Sequence, residues 1–175
     1  DRKDEARARL GEAADALAAR GCEVIVRINR PLRMAVRDIE ASVRQSVRAL
    51  TLPKVSSAAQ VHHLVEVIEE LERERHLPVG HTGLIVMIET ADALERMEEI
   101  AAASPRVLGI IVGAEDLSVS MGMNPTHLAL LVPNVRMVAA ARAAGCLPLG
   151  FVGSIAGFSD LDEYRTRIRE ARGLG

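Results

Sequence analysis

Five short apolar runs recur along the chain, and each is followed by a stretch of helical composition. They are CEVIVRIN (22–29), ALTLPK (49–54), GLIVMIE (83–89), RVLGIIVGAED (106–116, a strand with its exit loop) and CLPLGFV (146–152). The third constrains the fold most. Leu84 to Ile88 are apolar without a break, as in a strand covered on both faces. The run then ends on Glu89, a residue type seldom buried without a partner. Helices are expected at 3–20, 38–48, 58–76, 91–103, 134–144 and 160–172. Gly21 and Gly145 stand where helices stop; Asp38, Ser56 or Ser57, and Thr90 stand where they start. One helix followed by five strand–helix units with short connections predicts a parallel sheet flanked by helices.

Two α/β architectures fit this order: an open doubly wound sheet and a (β/α)8 barrel. No GxGxxG or GxxxxGK[ST] occurs, which argues against a dinucleotide or P-loop domain. A complete barrel takes about 250 residues. With 175 residues, five strands and an opening helix, a barrel here is expected to be incomplete, lacking its first strand and its C-terminal end. Residues 1–175 show no linker or repeat and read as a single domain.

Composition narrows the function. The chain is 49% hydrophobic and 26% charged, with a net charge of -2, so a disordered tail and a polyanion binder are both disfavoured. At 2% aromatic residues it lacks the stacking platforms of a single-strand nucleic-acid binder. No apolar stretch approaches the roughly 20 residues of a membrane-spanning helix, and DRKDEARARL lacks the apolar core of a signal peptide. A cytoplasmic protein with no nucleic-acid or membrane partner is the expectation. Cys22 and Cys146 are isolated and read as buried structural thiols. The five histidines have no metal-ligand spacing, and the run EELERERH (69–76) reads as a solvated helix face.

In parallel α/β folds chemistry sits at the C-terminal strand ends. Those ends offer Arg27 and Asn29, then Lys54, then Glu89, then Glu115 and Asp116, and finally Ser154. Adjacent strands lie about 4.8 Å apart, so Glu89 and Asp116 on consecutive strands can share a divalent cation. Gly113 and Ala114 leave the backbone before Asp116 uncrowded for a ligand. Each position also has a plainer reading. Glu89 could cap the next helix or pair with a surface lysine, and Asp116 could cap a helical turn at 117–121. Arg27, inside an apolar strand, must meet either a structural carboxylate or a substrate anion.

The motifs DRKDEARARL, VRIN, LPKV, IET, IVGAEDL and AARAAG, in that order, resemble the citrate lyase beta-subunit-like family. That family belongs to the wider HpcH/HpaI aldolase group, which includes malyl-CoA lyases. The resemblance spans roughly residues 1–172. It implies a (β/α)8 barrel of the phosphoenolpyruvate/pyruvate type, and a carbon–carbon lyase that works through an enolate with Mg²⁺ or Mn²⁺. It makes Glu89 and Asp116 the metal ligands and, with Arg27, the catalytic residues. It makes Arg27 the anchor for an oxo-acid carboxylate or enolate, puts donors to the same acid near Glu115 and Asp116, and leaves Lys54 as a substrate-binding residue at the rim. The implied partners are a small oxo acid and a CoA thioester of the citryl-CoA or malyl-CoA type, and the implied assembly is a homotrimer or homohexamer. An aldolase acting on a free 4-hydroxy-2-oxo acid and a non-catalytic subunit are the alternatives. In LPLGFVGSIAGFSD many such proteins carry an Asp where this chain has Gly150 or Phe151, and no general acid or base is assigned by the motifs.

Overall fold

The computed structural model describes residues 2–154 and 159–175, so part of the LPLGFVGSIAGFSD stretch lies outside the described residues. The described chain runs α1 (Lys3–Ala18), β1 (Val24–Arg27), α2 (Leu32–Ser42), β2 (Val47–Leu52), α3 (Ala58–Glu74), β3 (Gly83–Ile88), α4 (Ala91–Glu95), α5 (Met97–Ala101), β4 (Val107–Val112), α6 (Ala114–Met121), α7 (His127–Ala144), β5 (Leu147–Leu149) and α8 (Leu161–Leu174). The sheet order is β1-β2-β3-β4-β5, every pairing parallel. Each strand therefore lies beside its sequence neighbour, as around a (β/α) barrel, and the five strands form an arc that is not closed. No helix among the described residues is long and apolar enough to cross a membrane.

The core lies between the sheet and its helices. Alternate strand residues Leu50, Leu52, Leu84, Val86, Ile88 and Ile110 are buried there. They pack with Ile39, Val61, Ile68, Met97, Ile100 and Met137 of the helices in one cluster. Residues of the opposite parity face the inside of the arc and are covered less: Ile25 is 51% exposed, and Ile85, Met87 and Ile111 are half-buried. The uninterrupted apolar run 84–88 thus has one fully dry side rather than two.

Helix caps follow side-chain chemistry. The Oγ atoms of Ser57, Thr90 and Thr126 accept the N–H groups of Gln60, Ala93 and Ala129. Gly145 (φ 74) ends α7 in the left-handed region that glycine enters freely. The helix expected over 91–103 is divided into α4 and α5, and two others start earlier than expected. Helix α2 begins at Leu32 just after Pro31, not at Asp38; proline at a helix start is favoured because its missing N–H would be unpaired there anyway. Helix α7 starts at His127 and runs through Pro133, which was expected to precede the helix. Of the two cysteines, Cys146 is buried as expected and Cys22 is exposed.

Asp38 consequently does a different job from an N-cap. It is buried, accepts Arg7 Nε at 2.6 Å, and accepts both the backbone N–H and Nδ2 of Asn29, at 2.7 and 2.6 Å. It ties α1 and α2 to the end of β1. Although burial opposes its charge, the Asn29 donors and the Arg7 guanidinium hold its carboxyl below the usual range.

At the opposite, N-terminal end of the sheet, the expected solvated face of α3 contains a buried residue. Glu72 is 0% exposed. The Arg106 guanidinium, just before β4, grips it bidentately at 3.0 and 2.7 Å, and the N–H groups of Gly80 and Thr82 donate at 2.9 and 2.8 Å. Burial pushes the Glu72 pKa up, but these four donors outweigh it and hold the carboxyl below the ordinary Glu value. Since the folded-state pKa is depressed, the pair's stabilisation is complete above the unfolded-state value of about 4.3 and is lost as pH falls through the folded value. Arg106→Met, which strands a buried carboxylate, is expected to cost about 3–5 kcal/mol in urea unfolding at neutral pH. That loss should shrink as the pH is lowered below about 4, where Glu72 of the variant is protonated in both states.

Candidate functional site

Strand β3 ends at Ile88 and delivers Glu89 to the C-terminal rim. Glu89 is 3% exposed. It is not a helix cap, because Thr90 fills that role. Its Oε2 accepts the backbone N–H of Lys54 at 2.7 Å. Its Oε1 has Arg27 Nη2 at 3.9 Å, beyond hydrogen-bond reach. A carboxylate offers about four acceptor positions, and among the described residues this buried one has a single hydrogen bond.

The space Glu89 occupies is cleared by Gly113, in the turn from β4 to α6. A Cβ at position 113 would lie 2.4 Å from Glu89 Cγ and 2.6 Å from Oε1. Gly113 N–H donates to the Ile88 carbonyl at 2.9 Å, which pins the two strand exits together. Asp116 sits in the first turn of α6, with Gly113 at the cap position, so it is not the cap of a turn at 117–121. Its Oδ1 accepts Lys54 Nζ at 3.0 Å. Glu115, its neighbour, accepts a hydrogen bond from the Ser154 hydroxyl.

Lys54 therefore touches both carboxylates, one through its backbone and one through its ammonium. Its φ of 50° is left-handed, which among the described non-glycine residues is shared only by His76. Arg27, expected to be buried, has a side chain 60% exposed. The reason is the open arc: among the described residues little covers the inner face of β1, as Ile25 also shows.

Arg27, Glu89, Glu115 and Asp116 line one cavity of about 270 Å³, with Gly113 and Phe151 also in its wall. Arg27, Glu89, Glu115 and Asp116 thus converge on one rim, which Lys54 reaches through Asp116, whereas Asn29 is bound to Asp38 instead. Two features escaped sequence reading. One is that the glycine at 113 makes room for Glu89 rather than only for a ligand. The other is that Lys54 bridges the carboxylates; no local pattern announces a contact between residues 62 positions apart.

The donor set suits a hard divalent cation. Among the described residues no group of three or more His, Cys, Asp or Glu could hold a metal. Two carboxylates are present, and Mg²⁺ characteristically takes one or two carboxylates with water or substrate oxygens completing its octahedron. Glu89 Oε1 accepts no hydrogen bond among the described residues and borders the cavity, so it is an oxygen available to such an ion.

Comparison with known proteins gives the family and agrees with the fold. The chain is 37% identical over 173 residues to the citrate lyase subunit beta of Leuconostoc mesenteroides subsp. cremoris, covering 97% of this chain and 56% of that protein. It is 31% identical over 201 residues to the L-malyl-CoA/beta-methylmalyl-CoA lyase of Cereibacter sphaeroides, covering 100% of this chain and 61% of that protein. The chain thus spans little more than half the length of these relatives. Among solved structures, it superimposes on protein CitE from Mycobacterium tuberculosis, in complex with magnesium and acetoacetate. The TM-score is 0.69 at 27% identity, covering 96% of this chain and 67% of that one. The family model for HpcH/HpaI aldolase/citrate lyase matches residues 1–175, and the chain belongs to that family.

Proposed function

We propose that the rim formed by Arg27, Lys54, Glu89 and Asp116 is the site of a carbon–carbon lyase that cleaves a 3-hydroxy acyl-CoA of the citryl-CoA or malyl-CoA type, with Mg²⁺ or Mn²⁺ as its cation. The observation that carries this reading is the buried, under-bonded Glu89 carboxylate facing a cavity, with Asp116 at the next strand end. Support comes from relatives whose names are citrate lyase subunit beta and malyl-CoA lyase, and from the likeness to a protein bound to magnesium and acetoacetate.

In this reading Glu89 and Asp116 hold the cation, which would supply Lewis-acid stabilisation of an enolate oxygen. Arg27, half-exposed beside Glu89, presents a planar fork suited to a carboxylate. Gly113 keeps Glu89 in position, and the apolar inner residues Met87 and Ile111 displace water from one side of the cavity. The cavity itself admits a small oxo acid, and the mouth of the open rim leaves room for a thioester tail.

Glu89→Gln and Asp116→Asn are each expected to abolish Mn²⁺ binding in calorimetry and metal-dependent thioester cleavage, with the circular dichroism unchanged. Full turnover in both variants would refute the site. Cleavage of a free 4-hydroxy-2-oxo acid without cleavage of any thioester would instead favour the aldolase reading. Arg27→Lys is expected to weaken oxo-acid binding on the order of tenfold, because an ammonium replaces one bidentate charged contact by a single one; an unchanged dissociation constant would make Arg27 a bystander. Gly113→Ala should cost about 1–3 kcal/mol of stability from overpacking and weaken Mn²⁺ binding by pushing Glu89 aside, both measurable on the same sample.

A further inference from the structure

Lys54 has two separate connections to the carboxylate pair, and they differ in permanence. Its backbone N–H reaches buried Glu89 and depends only on the left-handed turn after β2. Its ammonium reaches Asp116 through a side chain that is 43% exposed, on a partner that is 42% exposed. A half-exposed single ion pair is weak and readily exchanged. The choice of lysine is itself uneven: Lys3 and Lys54 are the only lysines among the 22 Lys and Arg residues. A left-handed φ is costly for a side-chain-bearing residue, so keeping one here points to use of the ammonium as well as the N–H.

We propose that Lys54 is the resident counter-cation of the Glu89–Asp116 pair, and that its ammonium is displaced from Asp116 when a divalent ion binds. This rests on the metal reading of the site given above. The oxygen that accepts Nζ, Asp116 Oδ1 at 3.0 Å, belongs to a carboxylate the ion would also use. A divalent ion sits about 2.1 Å from its oxygens, and an ammonium and a divalent ion in contact with one carboxylate repel strongly. Nζ can withdraw into water while the N–H stays on Glu89. Lysine suits this better than arginine: an ammonium is a compact, strongly hydrated point charge, whereas a guanidinium would clamp the carboxylate bidentately. Without the metal, the same ammonium offsets the repulsion between the two carboxylates, and an incoming ion must compete with it. Lys54 is thus a positioning residue that sets metal affinity.

The test measures Mn²⁺ binding by electron paramagnetic resonance in the unaltered chain, Lys54→Met and Lys54→Gly, and follows the side-chain ammonium signals of ¹⁵N-lysine-labelled protein during Mg²⁺ titration. Only two lysine signals exist to assign. Both variants are expected to bind Mn²⁺ about fivefold more tightly, the competitor being a half-exposed ion pair. Lys54→Gly serves if Lys54→Met misfolds, since glycine accepts the backbone conformation. The Lys54 ammonium signal should shift on Mg²⁺ saturation while that of Lys3 stays in place. Equal or weaker Mn²⁺ binding by the variants, or a Lys54 signal that does not move, would overturn the proposal while leaving the metal site intact. Failure of the unaltered chain and both variants to bind Mn²⁺ would remove the metal reading and this inference together.

Discussion

The Glu89 carboxylate, 3% exposed at the end of a parallel strand, is the feature on which the rim is built. A buried charge must be met by donors or by an opposite charge, and the surrounding backbone is shaped to do part of that. The turn after β2 enters the left-handed region so that the Lys54 N–H can point at Oε2. The turn after β4 carries a glycine because any Cβ there would collide with the carboxylate. Three adjacent strand ends are thereby referred to one side chain. The response is still incomplete, since Oε1 has only a distant guanidinium.

The same sheet contains a second buried glutamate, and the contrast separates structure from chemistry. Glu72 at the N-terminal end has four hydrogen bonds, two from one guanidinium and two from backbone N–H groups. All its acceptor capacity is used, nothing is left for a ligand, and its depressed pKa records the fit. Glu89 is about as buried but holds one hydrogen bond and borders a cavity. A structural carboxylate is satisfied by the protein alone. One that the protein leaves under-satisfied keeps a place for something else, and that difference is more informative than burial.

Much of this was legible in the sequence because strand order follows chain order. The apolar runs gave five strands, and β3 and β4 being adjacent followed from parallel βα repetition, so Glu89 and Asp116 could be put side by side by counting. The misreadings have physical causes. Asp38 resembled an N-cap, but Pro31 marks the true start of α2, and Asp38 instead reaches Arg7 of α1 and Asn29 just past β1. EELERERH looked solvated because a run of charges hides which one faces inward; Glu72 finds its partner Arg106 only through tertiary contact. Arg27 was expected to be buried because strand periodicity cannot reveal that the inner face of the arc stays open.

Order along the rim also bears on how an anionic substrate would sit. Because β1 to β4 are neighbours in sequence order, Arg27, Lys54, Glu89 and Asp116 fan out with two cations first and two carboxylates last. On the proposed function, the carboxylates would attract a metal ion, and the exposed guanidinium would attract the acid group of a substrate. Without Lys54 between them, Arg27 at 3.9 Å would be the nearest compensation for Glu89. With the Lys54 N–H already on Glu89, the Arg27 guanidinium is spared that duty and its half-exposed fork remains available. On the proposed function, the division of labour is therefore backbone to hold Glu89, ammonium to guard Asp116, and guanidinium to receive the acid. At the left-handed turn of Lys54, the N–H and the ammonium of one residue meet two carboxylates, Glu89 just past β3 and Asp116 in the first turn of α6.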